Sequence, residues 1–327
     1  MASIRQHGNG WQARIRRKGH PDEAKSFATR QEAQKWARAV ESAMDRGGYV
    51  SSTGAERITL VEIIARYREE VTPTLKGAKD DAIRLRALMR HPMCRLAMTA
   101  LTPNRIAQFR DERLQLVSAG TVIRELAYLS AVINHARREW GVNVENPVSR
   151  VRKPLAPIGR NRVLSELETA RLLEALSPLG RRSPWMLPLV VLALETAMRR
   201  GELLALRWDD VNLSNRTATL HDTKNGEGRV VPLSSRAMEV LRALPRSIAG
   251  HVIPITACAA SAAFNRATAR AGIEGFRFHD LRHTAISRMA AKLPNVIELA
   301  AVSGHRSLRM LQRYYHPRAE DLAKKLG

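Results

Sequence analysis

A multidomain, mainly α-helical fold with small β elements is what this sequence predicts, and three observations predict it. The chain has 327 residues, 44% of them hydrophobic, enough for two or three separately filled cores. Strand-like stretches punctuated by glycine occur near residues 10 and 220, whereas helical periodicity and capping signals run through most of the remainder. Charge is the third observation: 54 Lys and Arg stand against 31 Asp and Glu, a formal net charge of +23. The excess is spread along the chain, which suits several domains lining one long polyanion better than a neutral protein with a basic tail.

Residues 1–55 open with short stretches broken by Gly8, Gly10, Gly19 and Pro21, and read as strands. A helix follows, because Thr29 and Glu32 have capping-box spacing and Trp36, Ala39 and Val40 recur on one face. Gly47 and Gly48 stop it. The expected unit is a β-β-β-α module whose basic strand, around Arg14, Arg16, Arg17 and Lys18, is a candidate DNA contact.

Residues 57–150 read as four or five helices. Thr59 and Glu62 form a second capping box, Thr102-Pro103 is an N-cap with proline at the first helical position, and Gly120 precedes the amphipathic run TVIRELAYLSAVINHARREW. Then Pro147, Pro154 and Pro157 sit among basic residues with no hydrophobic period, which describes an extended linker, placed at residues 151–161. Its Arg150, Arg152 and Lys153 could lie along a phosphate backbone. From residue 162 helices dominate again, starting at a capping box from Ser165 to Glu168. The stretch RTATLHDTKNGEGRVVPLS alternates around Lys224, Asn225 and Gly226 as a β-hairpin. Leu311 and the apolar positions of PRAEDLAKKLG fit one face of a C-terminal helix, and Trp11, Trp36, Trp140, Trp185 and Trp208 fit core positions.

Several classes of protein are excluded by what the chain lacks. No apolar run approaches the roughly 20 residues of a spanning helix, and MASIRQHGNGW has no signal-peptide core. A cytoplasmic location is the expectation. Cys94 and Cys258 are far apart, which suggests neither a disulfide framework nor a thiolate zinc site.

Four blocks carry the chemistry. They are TAMRRGELLALRW around Arg199, DTKNGEGRVVPLS around Lys224, FRFHDLRHTAISR around His279 and Arg282, and SGHRSLRMLQRYYH around His305 and Tyr314. Cleaving a phosphodiester without a metal needs cations on the non-bridging oxygens, an in-line nucleophile and an acid for the departing oxygen. Arg199 and Arg282 are candidates for the cations, since a guanidinium meets two phosphate oxygens at once and stays charged. A tyrosine hydroxyl titrates near 10 and needs nearby positive charge or a base, which His279 and His305 could supply. His279 and His283 stand four apart, a zinc-ligand spacing with His305 and His316 also available, yet the glutamate of HExxH is missing and no carboxylate cluster accompanies them. No metal is expected.

Together the blocks resemble the tyrosine recombinase, or phage integrase, family. That signature is an Arg in T-G-[LM]-R-x-[GS]-E, a hairpin Lys, H-x-x-R, G-H, and a Tyr nine residues after that His. Residues 196–202 read TAMRRGE, with Ala197 where the family usually has glycine. His279 to Arg282 give H-x-x-R, Gly304-His305 gives G-H, and the ninth residue after His305 is Tyr314. The family's Y-x-H ending selects Tyr314 over Tyr315. The resemblance implies an arm-type DNA-binding module at 1–55, a helical SAM-like core-binding domain at 57–150, and a mixed α+β catalytic domain at 162–327. It further implies that Tyr314 forms a 3′-phosphotyrosyl bond and releases a 5′-hydroxyl. Arg199, Arg282 and His305 would stabilise the transition state, Lys224 would protonate the leaving oxygen, His279 would exchange the Tyr314 proton, and Glu202 would orient Arg199. Neither ATP nor any other cofactor is needed. The implied setting is double-stranded DNA in the bacterial nucleoid, a homotetramer assembled on it and DNA-bending accessory proteins. Integration and excision of a phage or mobile element is the first expectation. Inversion is the second, since the catalytic blocks look particularly close to shufflon-type recombinases. Type IB topoisomerases share the chemistry, and a non-catalytic regulator would explain the charge but not the blocks.

Overall fold

The computed structural model describes residues 2–18, 20, 22–45, 58–157, 159–221, 228–247, 249–293, 295–305, 307–315 and 323. The chain divides into two compact units, Met1–Ile158 and Gly159–Gly327.

The first unit holds two separate cores. Strands β1 (Ala2–His7), β2 (Gly10–Ile15) and β3 (Glu23–Phe27) form an antiparallel sheet in that order. Residues Gly8 and Asn9 join β1 to β2, and Gly8 adopts φ +59°, the positive φ that a two-residue hairpin turn requires. Alternation along β2 buries Ala13 and Ile15 under helix α1 (Arg30–Asp45), against Ala33, Ala37, Val40 and Met44, and turns Arg14 away. The expected capping box is formed by reciprocal bonds between Thr29 and Glu32. The expected stop at Gly47 and Gly48 lies outside the described residues.

Helices α2 (Leu60–Glu70), α3 (Ala78–Leu88), α4 (Pro103–Leu116) and α5 (Ala119–Glu139) enclose the other core, centred on Ile63, Ile106, Phe109, Leu126 and Ile133. The capping box at Thr59 and the Thr102-Pro103 start are both formed. Two sequence expectations shift here. Gly120 does not precede α5 but is its second residue, with Ser118 in the extended conformation at the N-cap position. Pro147 belongs to the core: Asn146 caps a 3₁₀ turn over Pro147–Arg150, and Pro147 and Val148 are buried, so irregular chain begins only after Val151.

In the second unit the order is α6 (Glu166–Ala175), α7 (Met186–Thr196), α8 (Arg200–Ala205), β4 (Val211–Asn212), β5 (Thr217–Leu220), β6 (Arg229–Pro232), α9 (Ser235–Ala243), α10 (Ala257–Arg270), α11 (Asp280–Lys292) and α12 (Val296–Ser303). The three strands form an antiparallel sheet in sequence order. Helix α7 is apolar on every side, with Leu189 to Leu194 all buried, as expected of a central helix. Beside it α10 places Phe264, which meets Phe278 at 5.1 Å and Phe276 at 6.2 Å between ring centroids, both in the segment before α11. A smaller cluster of Ala197, Ala285, Ile286, Leu299 and Leu311 lies beside this main core, with Tyr314 packed on it. Leu311 is therefore a core residue, but not on an α-helix: it separates 3₁₀ turns over Leu308–Met310 and Gln312–Tyr314. Of the tail PRAEDLAKKLG, only Ala323 is among the described residues. All five tryptophans pack, partly buried, against one of the cores. Among the described residues no helix is long and apolar enough to cross a membrane.

Phe264 is fully buried among aromatic partners, so Phe264→Ala is expected to destabilise the second unit by about 3–5 kcal/mol. Urea unfolding followed by circular dichroism measures this. A loss well under 1 kcal/mol would show that the main core is not organised around this ring.

Candidate functional site

The site begins where α7 stops. Ala197 takes φ 52°, in the left-handed region, which costs a residue with a Cβ roughly 1–2 kcal/mol. Its methyl is fully buried in the small cluster, and burial of one such group returns about 0.8 kcal/mol. The turn aims the Ala197 carbonyl at the Arg282 guanidinium, whose Nη1 donates to it at 2.5 Å. It also sets Arg199 as the N-cap of α8, one turn ahead of Glu202.

Glu202 is the centre of the charge network. Its Oε2 accepts from the Arg199 amide at 2.8 Å and its Oε1 from Arg199 Nη1 at 2.6 Å. Arg229, the first residue of β6, adds a two-pronged contact, Nη1 to Oε1 at 3.1 Å and Nη2 to Oε2 at 2.9 Å. Burial pushes the Glu202 carboxyl upward, but the bonds from Arg229 and Arg199 outweigh it and bring the group to about 2. Arg229 was not among the residues singled out in the sequence. Its only sequence signal is a place in the basic hairpin, whose register sets it opposite Leu220.

Arg229 also explains a glycine. Gly304 ends α12 at φ +69°, and a Cβ there would lie 2.9 Å from Arg229 Cδ, Cζ and Nε. With Arg229 pinned by Glu202, only glycine fits. The same turn presents the Ser303 carbonyl to Arg282 Nη2 at 2.6 Å and brings His305 Nδ1 to 2.8 Å from Ser303 Oγ.

Arg282, on the first turn of α11, is 5% exposed. Burial, with repulsion from Arg199 and Arg229, lowers its pKa to about 10, so it remains charged at neutral pH. An incoming anion would offset the part of this shift that comes from the neighbouring guanidinium groups. His305 is pushed down to about 4 by burial and by Arg282, Arg199 and Arg229, and is neutral at pH 7.

Tyr314 stands at the end of the last 3₁₀ turn, half-buried. Burial raises its pKa, and Arg313 and Arg282 oppose the rise, so the free phenol is not ionised in advance. Its hydroxyl hydrogen-bonds His283 Nδ1, and the two rings are stacked with centroids 5.8 Å apart. His283 in turn meets the His279 ring edge-on at 5.6 Å. His283, notable in the sequence only for its four-residue spacing from His279, lies in the fold against the phenol. The reason is local: the 3₁₀ turn carrying Tyr314 packs over the second turn of α11, where His283 projects. Burial, then the neighbouring His279 and Arg313, hold His283 below the usual histidine range, which favours the neutral ring.

Arg199, Glu202, Arg282, His305, His279 and Tyr314 thus gather in the second unit. Lys224 lies outside the described residues, between the β5 and β6 arms. In the first unit Arg14 and Arg16 share Asp22 at 3.1 and 2.9 Å, Arg17 pairs with Asp45 at 2.5 Å, and Arg150 pairs with Glu145 at 2.5 Å. Lys18, Arg152 and Lys153 are exposed. Among the described residues no three His, Cys, Asp or Glu side chains converge as a metal site.

Comparison with known proteins places this geometry in context. Residues 162–321 match the phage integrase family, and residues 56–154 match the phage integrase N-terminal domain. A shufflon-specific DNA recombinase of Escherichia coli is 42% identical over 280 residues, covering 83% of this chain and 72% of that protein. A putative integrase/recombinase of Haemophilus influenzae is 35% identical over 336 residues, 99% of this chain and 89% of that one. In fold, the chain is similar to lambda integrase in a crystal structure of its tetramer bound to a Holliday junction, with TM-score 0.64, 20% identity and coverage of 94% and 95% of the two chains.

Because Glu202 is held at about 2 against an ordinary 4.5, its stabilisation is complete above pH 4.5 and is lost as pH falls toward 2. Glu202→Gln is expected to cost about 3–5 kcal/mol at pH 7, since two partly buried guanidinium groups lose the counter-charge of a buried carboxylate. The variant should also flatten the pH dependence of stability between 4.5 and 2. Urea midpoints measured across that range read both effects, and an unchanged acid limb would mean that Glu202 is not the titrating group.

Proposed function

The chain belongs to the phage integrase family, and from that membership we infer that it is a tyrosine-type site-specific DNA recombinase, which breaks and rejoins DNA strands at defined sites. The observation that carries the chemistry is the meeting of Arg199, Arg229, Arg282 and His305 in one charge network, with the Tyr314 hydroxyl on the neighbouring His283.

In this reading a DNA phosphate enters beside Arg199 and Arg282, which take its non-bridging oxygens and offset the charge that grows on them. Tyr314 Oη attacks phosphorus. Its proton passes to His283 Nδ1, whose ring meets His279 edge-on. The bond to the 5′ oxygen breaks, Lys224 protonates that oxygen, and a 3′-phosphotyrosyl link and a free 5′-hydroxyl result. A 5′-hydroxyl from another strand reverses these steps, so the bond energy is conserved and no nucleotide is consumed. Glu202 and Arg229 hold Arg199 in place.

The layout that suits this activity is an arm-type DNA-binding module at 1–55, a core-binding domain at 57–150, a linker at 151–161 and the catalytic domain at 162–327. Contacts to duplex DNA from Arg14, Arg16, Arg17, Lys18, Arg150, Arg152 and Lys153 would displace surface ion pairs worth only about 0–1 kcal/mol, so phosphates could replace Asp22, Asp45 and Glu145 at little cost. The working form is a homotetramer on double-stranded DNA at the bacterial nucleoid, assisted by DNA-bending proteins. The reaction is integration and excision of a phage or mobile element. Inversion of a DNA segment is the second reading, favoured by the 42% identity to a shufflon-specific DNA recombinase.

On a nicked duplex carrying the recognition site, wild type is expected to form a covalent protein–DNA adduct on a denaturing gel, and Tyr314→Phe none. An adduct in Tyr314→Phe would assign the nucleophile elsewhere. Lys224→Ala and His283→Gln should each slow adduct formation by about 10²–10⁴-fold. Plasmids carrying two sites in direct or inverted orientation separate excision from inversion, and relaxation of any supercoiled plasmid without a site would point to topoisomerase activity instead.

A further inference from the structure

We propose that Ser303 fixes His305 in the tautomer whose Nε2 carries no proton, so that His305 becomes a donor to DNA phosphate only by taking up a proton from solvent as the DNA binds. This rests on the reading of Arg199, Arg282 and Tyr314 as the strand-cleaving site, and adds to it a positioning residue and one proton.

The argument is a count of hydrogens. Ser303 is fully buried. Its Oγ lies 2.6 Å from the Leu299 carbonyl oxygen and 2.8 Å from His305 Nδ1. A hydroxyl has a single hydrogen, and a carbonyl oxygen has none. Two oxygens at 2.6 Å attract only if that hydrogen lies between them; otherwise two sets of lone pairs face each other within hydrogen-bonding distance. The hydrogen is therefore committed to Leu299, and Oγ offers His305 only a lone pair. The contact with Nδ1 then requires the proton to sit on Nδ1. A neutral imidazole has one N–H, so Nε2 is bare.

The surroundings keep the ring neutral. Arg282 and His283 face it from α11, Arg199 from the start of α8 and Arg229 from β6. The nearby carboxylate, Glu202, is already engaged by Arg199 and Arg229. In the unliganded protein a second proton on His305 would add to this positive field. A phosphodiester reverses both conditions. Its non-bridging oxygens are acceptors only, so a bare Nε2 would oppose them, and its negative charge favours an imidazolium at that position. Proton uptake turns an acceptor–acceptor clash into a charge-assisted hydrogen bond. No covalent bond is made or broken, and the proton returns to solvent on release. By linkage, DNA affinity should rise as pH falls through the neutral range.

The first measurement needs no ligand. Long-range ¹H–¹⁵N spectra of free wild type at neutral pH should show His305 protonated at Nδ1 and bare at Nε2. The second uses a duplex selected from a random library by the Tyr314→Phe protein. In that complex both ring nitrogens should be protonated, and calorimetry in buffers of different ionisation enthalpy should give uptake of about one proton per protomer. Ser303→Ala releases the ring to the Nε2–H tautomer, so its complex should take up clearly less than one proton while still binding; a purely structural serine would leave the uptake unchanged. An Nε2–H signal in the free wild type, or no change of His305 on binding, overturns the proposal. Covalent adduct formation by wild type on the same duplex separates the two readings: an adduct without proton uptake ends this inference alone, whereas no adduct ends the reading of the site itself.

Discussion

One buried carboxylate, Glu202, carries the geometry on which the second unit depends. Withdrawing a carboxylate from water costs several kcal/mol, and here the hydrogen bonds of Arg199 and Arg229 offset that cost. Both arginines are fixed as a result. Arg229, once fixed, fills the space that a side chain at residue 304 would need. The glycine there allows the left-handed turn that ends α12, and that turn positions the Ser303 carbonyl and His305. A contact made at the start of α8 thus determines, through β6, how the end of α12 is shaped.

The charge balance of this arrangement is deliberately incomplete in the physical sense: three guanidinium groups share one carboxylate. Arg282 donates instead to main-chain oxygens at the C-terminal ends of two helices, Ala197 after α7 and Ser303 on α12. Helix C-termini carry partial negative charge, enough to hold a cation in place but not to neutralise the cluster. Burial is the first cause of the depressed pKa values of Arg282 and His305, and this excess of positive charge adds to it.

Much of this was legible in the sequence wherever the determinant is local. The capping boxes at Thr29, Thr59 and Ser165, the strand break at Gly8 and the hairpin alternation are decided by a few adjacent residues, and the catalytic blocks by their spacing. What was not legible depends on pairing between distant segments. Arg229 has no motif of its own, and its partner lies on another element 27 residues away. His283 was visible at four residues from His279, but which ring meets the phenol is set by the 3₁₀ geometry of Gln312–Tyr314. In a 3₁₀ turn successive side chains diverge by about 120° rather than the 100° of an α-helix. Pro147 misled for a related reason: the Asn146 side chain caps the turn that starts there and draws the proline into the core.

Ala197 has a wider meaning. The turn after α7 has a backbone that favours glycine, yet a methyl group sits there because the small cluster around Leu299 and Leu311 has room for it and no more. Conformational preference and cavity filling therefore trade against each other at one atom. Across evolutionary drift, the position can alternate between glycine and alanine while the carbonyl keeps its aim at Arg282. A search that demands glycine at this point would overlook chains that keep the same turn by filling the space instead.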